Sequence, residues 1–141
     1  MNNSQLAETQ RRRLLEILGP DGLLLETAER WTYGYDNSRR QATPVAVALP
    51  ANEAQVAAVV AFCHESNLSL VARGSGTGTA GAAVPIEGGL VLSTERLDRI
   101  INVDPDNRIL VVQPGATNQA VQHSAAEHGF FWPPDPTSAA V

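Results

Sequence analysis

Nine consecutive residues, Arg73 to Gly81 (RGSGTGTAG), hold four glycines and follow directly on a short apolar run, Leu68 to Ala72. So many glycines exclude a stable helix or strand interior, because each forfeits backbone entropy on ordering and offers no side chain to pack. The stretch is therefore a loop, and the rest of the chain must fold as a scaffold that presents it. Gly74, Gly76, Gly78 and Gly81 let the backbone bend sharply and approach a ligand closely. Ser75, Thr77 and Thr79 add hydroxyls, and Arg73 adds a positive charge. Successive amides in such a loop can converge into a nest for phosphate oxygens. The bland alternative is a glycine turn without a ligand, although four glycines with interleaved hydroxyls exceed what a turn requires. Gly76 to Gly81 also fits G-x-G-x-x-G, but the dinucleotide fingerprint needs a helix starting within the motif and an acid about 20 residues on. Pro85 and Gly88-Gly89 prevent that helix, and Glu87 and Glu95 come too early. The fingerprint match is accidental, and phosphate cradling survives without it.

The scaffold is legible from periodicity. Val45 to Leu49 reads as a strand closed by Pro50. Asn52 caps a helix, with Gln55 completing a capping box. Val56, Val59, Val60 and Cys63 form its apolar stripe at i, i+3, i+4 and i+7. With Leu68 to Ala72 as the next strand, a right-handed parallel βαβ crossover is expected. Leu90 to Ser93 and Ile100 to Val103 are short strands, and Ile109 to Val112 is a continuous apolar run expected to be buried. Asp104 to Asn107 makes the turn between the last two, and Thr117 to His128 a second helix stopped by Gly129. Upstream, Gln5 to Leu18 is an amphipathic helix with Leu14, Ile17 and Leu18 inward and Gly19-Pro20 as its stop. Arg12 there has Glu8 and Glu16 as surface partners. Asp21 to Thr43 reads mostly as loop.

At 141 residues, 43% hydrophobic and 18% charged, the chain has material for about one domain with an aliphatic core. All ten basic residues are arginine, which removes lysine Schiff bases and the Walker A lysine. A net charge of −5 is a poor footprint for nucleic acid. The longest apolar run, Val56 to Cys63, is eight residues against roughly 20 for a membrane span. The N-terminus has no signal-peptide core, and one cysteine agrees with a reducing, cytoplasmic setting. Cys63 on the helix stripe is expected to be a buried, inert thiol. His123 and His128 are five apart, so they read as solvated helix positions rather than metal ligands. Asp135 stands between prolines with no partner nearby in sequence. No catalytic group is identifiable, and no metal is expected. The ending PPDPTSAAV reads as interrupted.

Taken together, YGYDNSR (Tyr33 to Arg39), Pro50 before the capped helix, LVARGSGTG (Leu70 to Gly78), RIINVDPDNRILVVQPGA (Arg99 to Ala116) and PPDPTSAA (Pro133 to Ala140) resemble one family. It is that of the FAD-linked oxidases in the p-cresol methylhydroxylase and vanillyl-alcohol oxidase superfamily, which includes glycolate oxidase, D-lactate dehydrogenase and D-2-hydroxyglutarate dehydrogenase. The resemblance implies an α+β fold, with a small βαβ sheet flanked by helices. Residues 1–34 would be a helix and lead-in, and 35–141 the first part of the FAD-binding domain. It implies that Gly74 to Gly78 wrap the FAD pyrophosphate, with Arg73 and Gly81 beside them and Pro134 and Thr137 in a second flavin-lining segment. Covalent relatives often carry histidine where Thr77 stands, so FAD would be held non-covalently. Gly81-Ala82 replaces a glycine pair common in the family. The family's later flavin segments, its substrate domain and the histidines and acid of its metal-assisted active site have no counterpart in these residues. The expected whole protein oxidises a small D-2-hydroxy acid to the 2-oxo acid. The alternative is a nucleotide-binding half-domain without turnover, stand-alone or a non-functional truncation.

Overall fold

A computed structural model of the protein describes residues 6–134 and 136. They form two compact units, 1–96 and 97–141, whose division falls inside the expected 35–141 segment. The fold class is α+β, as the resemblance implies.

In the first unit, α1 (Glu8–Leu18) leads through a 3-10 turn (Pro20–Gly22) into β1 (Leu23–Leu24). Then follow α2 (Thr27–Trp31), β2 (Ala46–Ala48), α3 (Glu53–Glu65), β3 (Leu70–Arg73) and β4 (Leu90–Ser93). The sheet order is β1-β2-β4-β3, with β1 antiparallel to β2 and the other neighbours parallel. The expected strand–helix–strand unit is present, but β2 and β3 are not neighbours: β4 lies between them. Hydrophobicity accounts for this, since Leu90, Val91, Leu92 and Ser93 are all buried and the central position is the one covered on every side. The pairing lines up three rows across the sheet: Ala46–Leu90–Leu70, Val47–Val91–Val71 and Ala48–Leu92–Ala72. On one face Leu14 and Leu18 of α1 and Val59, Phe62 and Cys63 of α3 pack on Ala46, Ala48, Leu90 and Leu92. On the other, Val47 and Val91 meet Tyr33 and Val71.

Several local expectations need correction. Asp21 to Thr43 is mostly loop, as expected, but β1 and α2 also fall within it; at two and five residues they are too short to leave a periodic signal. On α3, Val60 is 47% exposed and Phe62 takes its place in the core, so the stripe runs Val56, Val59, Phe62, Cys63. Asn52 Oδ1 does accept from the Gln55 amide at 2.9 Å, but the Gln55 side chain reaches back to the Ala51 amide rather than to Asn52. On α1 the ion pairs are Arg11–Glu8 and Arg13–Glu16, not pairs with Arg12.

The second unit consists of the antiparallel hairpin β5 (Ile100–Asp104) and β6 (Ile109–Val112), with α4 (Asn118–Glu127). Its turn is closed by Asp104, which accepts from the Asn107 amide at 3.1 Å and its side-chain amide at 2.8 Å. Thr117 caps α4 through the Ala120 amide, as expected. β6 is not a buried strand: Ile109 and Val111 share a face and are 53% and 43% exposed, while Leu110 and Val112 line an apolar groove of about 380 Å³ with Val121 and Ala125. No described helix is long and apolar enough to cross a membrane.

Candidate functional site

The glycine loop leaves the carboxyl end of β3, where Arg73 pairs with Ser93 at the end of β4. Carboxyl ends of parallel strands are where open α/β sheets hold ligands. No helix follows the glycines, which confirms that the fingerprint match is accidental. Gly74, Ser75 and Thr77 to Ala80 are exposed, and the amides of Ser75 to Thr79 donate to no other described residue.

The four glycines have different reasons to be glycine. Gly76 has φ +74, and a Cβ there would collide with the Arg73 guanidinium. Gly81 has φ +82 and packs on the Ser38 hydroxyl and the Arg40 side chain. Both are demanded by the protein itself. Gly74 and Gly78 are different: neither has a φ in the left-handed range, and a Cβ on either would meet nothing within 4 Å. Neither backbone strain nor packing forbids a side chain at these two positions.

Arg73 was expected to lend its charge to the loop, but its side chain is turned beneath it. Only 8% of the residue is exposed; the guanidinium donates to Tyr35 O at 2.6 Å and Thr32 O at 3.4 Å, and lies 5.7 Å from the centre of the Tyr33 ring. The Tyr33 hydroxyl donates to Glu95, 2.9 Å from Oε2, and the Ser93 hydroxyl donates to that oxygen at 3.0 Å. Burial first, then the Glu95 carboxylate, push the Tyr33 phenol up to about 12. Arginine, tyrosine and glutamate thus tie segment 32–35 to the ends of β3 and β4.

The YGYDNSR motif gains a physical meaning here. Asp36, 6% exposed, accepts from the Ser38 amide at 2.8 Å and folds the segment into a tight turn bridged by Tyr35 and Gln41. The Ser38 hydroxyl and amide hold the Asp36 carboxyl below the usual carboxylate range, with smaller help from the amides of Ala83 and Gly81. Next to it, the Asn37 amide donates to Gly78 O at 2.9 Å and its side chain to Thr77 O at 3.2 Å. Sequence reasoning treated this motif as a landmark and missed that it clamps the glycine loop. The signal available was an Asp-x-Ser turn signature beside an asparagine.

Elsewhere, Pro134 O accepts from Asn118 and Gln122 at 2.8 and 3.0 Å, so the Pro133-Pro134 segment is held on α4. Thr137 and Asp135 lie outside the described residues. Cys63 is buried, 3% exposed, and desolvation pushes its thiol up to about 11, as an inert core cysteine requires. His123 is exposed, with Nε2 3.4 Å from Glu127.

A family model described as "FAD binding domain" matches residues 44–141, which is most of the chain. The chain belongs to the FAD binding domain family. FAD is the cofactor of that family, and the flavin-linked resemblance of the sequence motifs stands. Among curated proteins, the chain is 33% identical over 132 residues to the glycolate oxidase subunit GlcD of Bacillus subtilis, covering 93% of this chain and 28% of that protein. It is 39% identical over 97 residues to the D-lactate dehydrogenase of Archaeoglobus fulgidus, covering 69% and 22%. It is 39% identical over 114 residues to the D-2-hydroxyglutarate dehydrogenase of Xanthomonas citri pv. viticola, covering 80% and 24%. The chain therefore spans under a third of the length of these relatives. Among solved structures, alkyldihydroxyacetonephosphate synthase matches with a TM-score of 0.85 at 21% identity, covering 96% of this chain and 30% of that one. p-Cresol methylhydroxylase matches with a TM-score of 0.75 at 23% identity, covering 89% and 26%. At such identities these two structures establish the shared fold alone.

Proposed function

We propose that residues Gly74 to Gly78 cradle the pyrophosphate of FAD, and that the chain is the first flavin-binding part of an oxidoreductase acting on a D-2-hydroxy acid. The observation that carries the reading is the pair Gly74 and Gly78, whose missing side chains answer to nothing in the protein. A ligand that must approach the backbone supplies the reason. The amides of Ser75 to Thr79, which donate to no other described residue, offer the donors an anion needs without a lysine.

When bound, FAD supplies the two-electron acceptor for substrate oxidation. The residues of this chain bind and orient its phosphates. Arg73 acts from below, bracing the loop through Tyr35 and Thr32 rather than touching phosphate. Pro134 and Thr137 belong to the proposed second flavin-lining segment. Thr77 has no ring nitrogen for a flavin link, which supports non-covalent binding. A cytoplasmic setting and a small 2-hydroxy acid such as glycolate or D-lactate complete the proposal, the latter supported by the names of the relatives.

The test is a chimera in which residues 44–141 replace the matching segment of the Escherichia coli glycolate oxidase subunit GlcD, with which the chain is 40% identical over 95 residues. The apoprotein is titrated with FAD and with riboflavin, which lacks the pyrophosphate. FAD is expected to bind stoichiometrically and far more tightly, to be released by acid precipitation, and to be bleached anaerobically by a D-2-hydroxy acid. Equal affinity for riboflavin would overturn the pyrophosphate assignment.

A further inference from the structure

Asn37 lies outside the glycine loop, yet its two donors grip two successive carbonyls of it, Thr77 O through the side chain and Gly78 O through the main chain. Among the described residues there is no cis peptide bond. In a trans peptide the C=O and N–H of one plane point in opposite directions. The Thr77 carbonyl shares its plane with the Gly78 amide, and the Gly78 carbonyl with the Thr79 amide. Both amides are therefore aimed away from Asn37, and both belong to exposed residues that donate to no other described residue. Glycine at 78 leaves these planes free to rotate unless something holds them. Asn37 is itself held, because the Asp36 carboxylate folds the turn through the Ser38 amide at 2.8 Å and packs it against Gly81 through Ser38 and Arg40.

We propose that Asn37 is a positioning residue: it fixes two consecutive peptide planes of the glycine loop so that the amides of Gly78 and Thr79 stand as paired donors to a pyrophosphate oxygen. The inference rests on the proposed phosphate-cradling role of the loop and names the device that prepares it. Preorganised amides bind an anion without first reorienting, so loss of the clamp should weaken phosphate binding while leaving the sheet intact. Thr79 thereby joins the site through its main chain rather than its hydroxyl.

The experiment uses the 141-residue chain labelled with 15N and titrated with inorganic pyrophosphate, followed by amide resonances. In the wild type, Gly78 and Thr79 are expected to shift most, with Gly78→Val abolishing the response. Asn37→Ala should raise the midpoint concentration about fivefold, the worth of one hydrogen bond, with the resonances of β2, β3 and β4 unmoved. Asn37→Asp keeps the side-chain volume but sets an acceptor against Thr77 O, and should weaken binding further. It also decides the matter if the alanine variant loosens the turn. Unchanged midpoints in both Asn37 variants, while Gly78 and Thr79 still shift, would overturn the positioning role and leave the loop assignment standing. No shift of Gly74 to Gly81 in the wild type would overturn the loop assignment and this inference with it.

Discussion

A single methyl group added at Gly76 tests how the glycine loop is held. Gly76→Ala forces an L side chain into φ +74, at a cost of about 1–2 kcal/mol. Its Cβ also drives into the Arg73 guanidinium, which must leave Tyr35 O. A hydrogen bond from a charged donor contributes about 1.5–3 kcal/mol, and this one is part-buried. The sum is about 2.5–5 kcal/mol. Arg73→Ala removes the obstacle, so in that background Gly76→Ala should cost only the backbone share of about 1–2 kcal/mol. The two substitutions are thus predicted to be non-additive by about 2 kcal/mol, as expected for residues in contact. The assay is urea unfolding of the four chains by circular dichroism. Additive costs would refute the account of Arg73 as the brace beneath Gly76, because a backbone penalty alone does not depend on residue 73.

Three further outcomes are expected. The Cys63 thiol, raised to about 11 by burial, should react with a disulfide reagent at pH 8 only as fast as the chain opens, and rapidly in denaturant; fast native-state reaction would contradict its core position. Tyr33, raised from 10 to about 12, keeps its proton longer in the folded state, so its contribution is complete below pH 10 and is lost as pH rises toward 12; Tyr33→Phe should flatten that alkaline loss in a pH series of unfolding midpoints, and an unchanged slope would count against the Glu95 contact. The 141-residue chain should not retain stoichiometric FAD through desalting, because a pyrophosphate cradle covers only part of so large a ligand; a full flavin spectrum afterwards would show that these residues suffice.

The parts of the fold that were legible in the sequence are those with long periodic signals. α1, α3 and α4 declare themselves by apolar spacing and caps, and Leu90 to Ser93 by an unbroken apolar run. Sheet order was not legible, because a short apolar strand can sit on either side of its neighbours, and only the burial of all of β4 settles it at the centre. Val60 and Phe62 traded places because a stripe two residues wide is consistent with either, and packing on Leu90 and Leu92 decides. The glycine stretch was legible as a loop. What could not be read was the division of labour inside it. Whether Gly76 or Gly78 answers to the protein depends on where the Arg73 side chain turns, and that depends on carbonyls at Thr32 and Tyr35, some 40 residues away in sequence. The clamp by Asn37 is a long-range contact of the same kind.

The most direct test of the account is the flavin content of Gly78→Val in the GlcD chimera, read beside the unfolding midpoint of the same substitution in the 141-residue chain. Since a Cβ at Gly78 meets nothing within 4 Å and needs no unusual φ, the midpoint should stay within about 0.5 kcal/mol of wild type, as for an unconstrained surface site. The branched side chain stands where the pyrophosphate is proposed to lie, so the purified chimera should carry almost no FAD. A Gly78→Val chimera that keeps full FAD would contradict the central claim, because a cradle that tolerates valine is not one a phosphate occupies.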